Sequence, residues 1–101
     1  MNPYNTSNTM TVTVGTEFEQ LLQATPSAGY RWTINNLPVE FEFLEKTLKT
    51  SARNAPGDMA MVAFKLKALR VGEYVIEFMY KRPWENLGNT FKLIVKVLPR
   101  S

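Results

Sequence analysis

Two short clusters carry the side chains best suited to recognition: T-P-S-A-G-Y-R-W from Thr25 to Trp32, and Y-K-R-P-W-E from Tyr80 to Glu85. Each is a turn-forming group set against a strand-like run. Each also holds aromatic or basic groups that a plain connecting loop does not need. Pro26 fixes one backbone angle and Gly29 permits a positive one, so the first loop can be shaped tightly without strain. Pro83 removes a ladder donor beside Trp84 and Arg82, interrupting a strand where large side chains are presented. The chemistry on offer is surface recognition.

Catalysis finds far less to work with. The chain has no cysteine and no histidine. That excludes disulfides, thiolate chemistry and sulfur metal sites, and it removes the commonest metal ligand and general base. Carboxylates, Lys, Ser, Thr and Tyr remain, and no pair of them stands at a recognisable motif spacing. The residues therefore predict a binding protein rather than an enzyme, with no catalytic residue, no metal and no cofactor.

The elements that must position the two clusters are strands. Met10, Val12 and Val14 alternate with Thr11 and Thr13, a half-buried strand ending at Gly15. Phe18, Leu21 and Leu22 form a second run whose alternation slips between Gln20 and Leu21, which reads as a bulge or a two-sided strand. Tyr30, Trp32 and Ile34 alternate up to the break at Asn35-Asn36-Leu37-Pro38. Phe41, Phe43 and Leu44 open a fourth strand that fades toward Lys49, where acids and lysines also allow a short helix. A polar stretch from Thr50 to Asp58 follows, with Pro56-Gly57 as a turn signal. Val62, Phe64 and Leu66 mark the next strand, then Tyr74, Ile76, Phe78 and Tyr80, then Phe91, Leu93, Val95 and Val97. About seven short strands, with turns every 8 to 12 residues or so, form the pattern of an antiparallel β-sandwich of the immunoglobulin-like kind. Trp32 lies in the third strand, where such sandwiches commonly bury a Trp, and is assigned to the core.

At 101 residues with 45% apolar content the chain is one domain able to bury a core without staples. Residues 1–8 read as a flexible lead-in and residues 9–99 as the domain. The net charge of +3 is uneven: residues 1–50 hold three basic and five acidic groups, residues 51–101 nine and four. Lys65 with Lys67, and Lys92 with Lys96, fall on strand faces opposite the apolar residues, which reads as a solvated sheet face rather than a nucleic-acid surface. No apolar run is long enough to span a bilayer, so no membrane partner is expected. No basic region precedes an apolar stretch at the N-terminus, so no signal peptide is visible. The chain reads as cytoplasmic as written, vesicular or secreted if a signal was removed. Asn5-Thr6-Ser7 fits a glycosylation acceptor, a triplet frequent by chance.

The two clusters, in register on this strand pattern, resemble those of the chagasin-type inhibitors of cysteine peptidases, small immunoglobulin-like domains of protozoa and prokaryotes. That family carries an N-P-T-T-G-Y/F loop followed two residues later by Trp, a glycine-rich loop mid-chain, and an R-P-W loop before the last strand. Pro26, Gly29, Tyr30 and Trp32 match the first motif; Arg82, Pro83 and Trp84 match the last, with V-G-E-Y-V-I and Tyr80 ahead of them. Order and spacing agree over roughly residues 10 to 98. Thr25, Ser27 and Ala28 depart from the family pattern, and the middle loop, R-N-A-P-G-D, has one glycine where several are usual.

The resemblance implies a reversible, non-covalent inhibitor of papain-like cysteine peptidases, monomeric when free, that lays three loops across the active-site cleft. Thr25, Pro26, Ser27, Ala28, Gly29 and Tyr30 would approach the catalytic residues, the small side chains letting the backbone come close to a crowded nucleophile. Arg53, Asn54, Ala55, Pro56, Gly57 and Asp58 would grip one side, and Arg82, Pro83 and Trp84 the other. Tyr30 opens a strand and reads as core or loop support. Trp84 would reach the core face if the even register of Tyr74 to Tyr80 continued. Pro83 stops that register, and Trp and Arg are enriched at interface hot spots, so Trp84 is expected to be exposed. An immunoglobulin-like adhesion module is the alternative, but it gives no reason for both motifs at one end.

Overall fold

The computed structural model describes residues 5–24, 29–50, 60–86 and 88–100. Seven strands and, among these residues, no helix follow in order: β1 (Asn5–Thr13), β2 (Glu17–Ala24), β3 (Arg31–Asn36), β4 (Phe41–Thr50), β5 (Ala60–Ala68), β6 (Gly72–Lys81) and β7 (Asn89–Leu98). They form two sheets, β1-β7-β6-β3 and β2-β5-β4. This is the all-β, immunoglobulin-like sandwich that the alternation pattern predicts.

The last three strands explain the core. Their inward positions, Val62, Phe64, Leu66 and Ala68 on β5, Ile76 and Phe78 on β6, and Phe91, Leu93, Val95 and Val97 on β7, are all buried. A period of two puts every second side chain on one face, so strict apolar alternation turns each of these strands toward the same interior. Burying a side chain of this size stabilises by about 1.5–3 kcal/mol. Leu22 and Phe41 add to the same cluster from β2 and β4.

Two features differ from the sequence reading, and two alternatives that it left open are decided. First, one pair is parallel: β1 runs alongside β7 from Asn5↔Thr90 to Thr13↔Leu98. The ladder begins at Asn5, so residues 5–8, expected to be a flexible lead-in, lie in β1. Second, β2 carries no bulge, since it pairs with β5 in unbroken register from Glu17↔Lys67 to Ala24↔Ala60. Gln20 occupies an inward position while Leu21 points out and is exposed. The slipped alternation reflects one polar residue on the inner face. Third, β4 is a strand throughout, with no helix at its Lys49 end. Fourth, the irregularities lie instead in β3, between Ile34 and Asn36, and in β4, between Phe43 and Glu45.

The β4 irregularity has a structural consequence. Beyond it Lys46 stands opposite Phe64 and Leu48 opposite Val62, so a lysine takes an inward-facing position on an edge strand. Its Nζ donates to the Trp32 carbonyl at 2.6 Å and lies 5.5 Å from the Phe64 ring centre. An inward charge of this kind keeps an edge from pairing with another chain. It also borders a cleft of ≈ 240 Å³ together with Tyr30, Trp32 and Leu48.

Strand ends sort the connections. β1–β2, β3–β4 and β5–β6 join at one end, where Tyr74 donates its hydroxyl to the Val71 carbonyl at 2.9 Å. A tyrosine near the start of this strand that bonds a few residues back fixes the corner in many immunoglobulin-like domains. The connections 25–30, 51–59 and 82–88 all leave from the opposite end.

Candidate functional site

Register alone brings the three connections together. Ala24, the last residue of β2, faces Ala60, the first of β5, which faces Thr50, the last of β4. In the other sheet Arg31 faces Lys81 and Tyr80 faces Asn89. Among the described residues, Trp32, which is 8% exposed, carries two bonds from one sheet to the other at this end. Its indole Nε1–H donates to the Gln23 carbonyl at 2.8 Å, while its own carbonyl accepts from Lys46. Trp32 is a core residue, as its strand position predicts.

From Trp32 a stack of side chains leads outward. Its ring lies 4.7 Å from that of Tyr80, and Tyr80 lies 5.1 Å from Tyr30, both pairs nearly parallel at 26°. The Arg82 guanidinium sits 4.6 Å above Tyr30 and 5.9 Å from Trp84. Tyr30, read as core or loop support, directly precedes β3 and lies half-buried between Tyr80 and Arg82. Offset aromatic pairs and cations over ring faces are each modestly attractive beyond their buried area.

The last loop is shaped by a four-residue turn. The Glu85 N–H donates to the Arg82 carbonyl at 3.0 Å, and the Arg82 N–H donates to Glu85 Oε1 at 3.2 Å. Pro83 occupies the second turn position, where its fixed φ is preorganised. The turn lifts Trp84 out of strand register and leaves it 72% exposed, the outcome expected from the proline. Gly88 closes the loop in a place only glycine fits, because a Cβ there would collide with the Tyr80 carbonyl and the Lys81 Cβ. In the first loop Gly29 has φ 82°, a conformation that side chains other than glycine adopt only with strain.

Gly29, Tyr30, Arg82, Pro83 and Trp84 are therefore gathered at one end of the sandwich. Thr25, Pro26, Ser27 and Ala28, and Arg53, Asn54, Ala55, Pro56, Gly57 and Asp58, lie outside the described residues. Sequence reasoning missed Glu85, Gly88 and Lys46. The R-P-W-E spacing, a proline followed two residues later by a carboxylate, was the available signal for Glu85. Nothing local marks Lys46, because its inward turn depends on the β4 irregularity.

A small immunoglobulin-like domain that offers sculpted loops and an exposed Trp at one end is a protein-binding module. Its sequence matches the profile of the Chagasin family peptidase inhibitor I42 over residues 11–97. The chain belongs to that family, whose members are peptidase inhibitors and not enzymes. It is similar to Amoebiasin-1 of Entamoeba histolytica, 31% identical over 99 residues that cover 92% of this chain and 93% of the relative. In structure it is similar to the cysteine protease inhibitor EhICP2 from Entamoeba histolytica, with a TM-score of 0.69 at 24% identity over 95% of this chain and 99% of the other. It is also similar to PbICP-C, solved in complex with falcipain-2, with a TM-score of 0.63 at 17% identity over 95% and 89% of the two chains.

Proposed function

We propose that this chain inhibits papain-like cysteine peptidases reversibly and without covalent chemistry, by seating the loop end of the sandwich in the active-site cleft. The observation that carries this reading is the exposed Trp84, held beside Arg82 and Gly29 at the end where all three connections leave the sheets. The chain belongs to a family of peptidase inhibitors, and a relative of the same fold is known in complex with falcipain-2. A papain-like site is a groove with a reactive thiolate at its base. A loop held rigidly in that groove excludes substrate, and it escapes cleavage if no carbonyl is presented in an attack geometry. In this reading residues 25–30 fill the groove, while residues 53–58 and 82–84 hold its two sides. Preorganisation by Gly29 and the Arg82–Glu85 turn lowers the ordering cost of binding.

The test is an inhibition panel across papain-like peptidases with a serine peptidase as control, followed by gel analysis after long incubation. Inhibition confined to the papain-like enzymes, with an intact inhibitor, is expected. Progressive cleavage between Thr25 and Tyr30 with recovery of activity would reveal a substrate instead.

A further inference from the structure

Arg82 does not point away from the domain toward a partner. Its guanidinium lies over the ring of Tyr30, from the first loop, and within reach of the ring of Trp84, from its own loop. Both distances fall inside the range of about 6 Å over which a cation and a ring face attract. Gly29 packs against the same group: a Cβ there would sit 3.6 Å from the Trp84 ring and 4.0 Å from Arg82 Cγ. Below Tyr30, the stack continues through Tyr80 to the buried Trp32. One unbroken column of side chains thus runs from the core to the most exposed aromatic ring among the described residues, and it crosses from the first loop to the last at Arg82.

We propose that Arg82 is a positioning residue, a clamp that joins the first and last loops into one preformed binding unit. It acts on peptidase affinity through Tyr30 and Trp84. This deepens the reading of the loop end as a peptidase-binding edge and rests on it. The physical basis is the shape of the guanidinium. It is planar and weakly hydrated, so it can lie against ring faces while keeping its charge, whereas a lysine ammonium is a compact, strongly hydrated point charge. Two loops fixed against each other before binding lose less freedom on binding than two anchored separately.

The experiment begins with the free protein. ¹⁵N relaxation of the two indole Nε1 groups reports fast motion, with Trp32 as the internal reference for Trp84. In both Arg82→Ala and Arg82→Lys the Trp84 indole should gain mobility while the Trp32 indole stays rigid and the melting temperature barely moves. Dissociation constants for papain should rise about tenfold in each variant. Adding Tyr30→Leu to Arg82→Ala should weaken binding by much less than the two separate effects multiplied, as expected for residues acting as one unit. A Trp84 indole that stays as rigid in Arg82→Ala as in the wild type overturns the proposal. So does Arg82→Lys with wild-type affinity, which would mark a simple charge contact, or a loosened indole with unchanged affinity. If Arg82→Ala unfolds, Arg82→Lys decides. If the wild type binds no papain-like peptidase, the proposed function fails on its own, and the indole measurement still decides whether the loops are clamped.

Discussion

Trp32 donates its indole N–H to the Gln23 carbonyl at 2.8 Å, and this bond ties the end of β2 to the start of β3 across the two sheets. The two strands belong to different layers, and the first loop spans the gap between them. The same ring supports Tyr80 and, through it, Tyr30. One side chain therefore anchors the loop at both of its ends.

Trp32→Ala should lower stability by about 3–5 kcal/mol, the cost of a large cavity in a packed interior. Trp32→Phe keeps much of the volume but gives up the bond to Gln23, and should cost at least about 1 kcal/mol. Thermal and urea unfolding of both variants check this. Equal losses would mean that the cross-sheet bond contributes nothing of its own.

Trp84→Ala should separate binding from folding. With 72% of the residue exposed, its removal should leave the melting temperature nearly unchanged. Affinity for a papain-like peptidase should weaken by about 2 kcal/mol, roughly thirtyfold, as for an interface hot spot. A dissociation constant and a melting curve on one preparation test the pair of expectations. Full affinity in a folded variant would remove this loop from the inhibitory edge.

Gly88→Ala should be felt in the fold. The added methyl meets the Tyr80 carbonyl and the Lys81 Cβ, so the end of β6 or the last loop must shift, at about 1–3 kcal/mol. For a domain of this size each kcal/mol lowers the melting temperature by roughly 4–8 °C. A variant that melts with the wild type would show that the loop accommodates the methyl freely.

Lys46 predicts a stability change at alkaline pH. Burial, and after it the like charge of Arg31, holds its pKa below the ordinary 10.5. Between the lowered value and 10.5 the unfolded chain binds a proton that the folded chain has released. The folded state therefore gains stability as pH rises through that window. Below the window both states carry the charge, and the folded state bears the full burden of a partly desolvated ammonium. Lys46→Gln removes this titration. The stability of the wild type relative to the variant should climb with pH as 10.5 is approached and stay level at lower pH. Urea unfolding at matched pH values measures it, and parallel curves throughout would place Lys46 in open solvent.

The sheets were legible where alternation is strict, as in β5, β6 and β7, because each of those strands has one wholly apolar face. β2 left a bulge and a two-sided strand both open because Gln20 occupies an inner position and Leu21 an outer one, a local exchange that the tertiary packing tolerates at an edge. β4 misled because one residue out of register, around Leu44, reverses the facing of everything after it. The direction of β1 could not be read at all. Alternation tells which residues face inward and nothing about which strand lies alongside. At the site, Gly29, Pro83 and Trp84 were readable as local turn chemistry. The stack of Trp32, Tyr80, Tyr30 and Arg82 was not, since it depends on the pairing of Trp32 with Tyr80 across β3 and β6, a long-range register with no local signature.

The parallel pairing of β1 with β7 also settles the polarity of the molecule. β7 starts at the loop end, so β1 starts there too, with Asn5 opposite Thr90. The chain leaves at the far end, where Arg100 donates to the Val14 carbonyl. A tether, label or fusion partner attached through the C-terminus therefore stands a full strand length, about 30 Å, from the recognition edge. An attachment running into Asn5 enters beside that edge and competes for the space a bound peptidase would occupy.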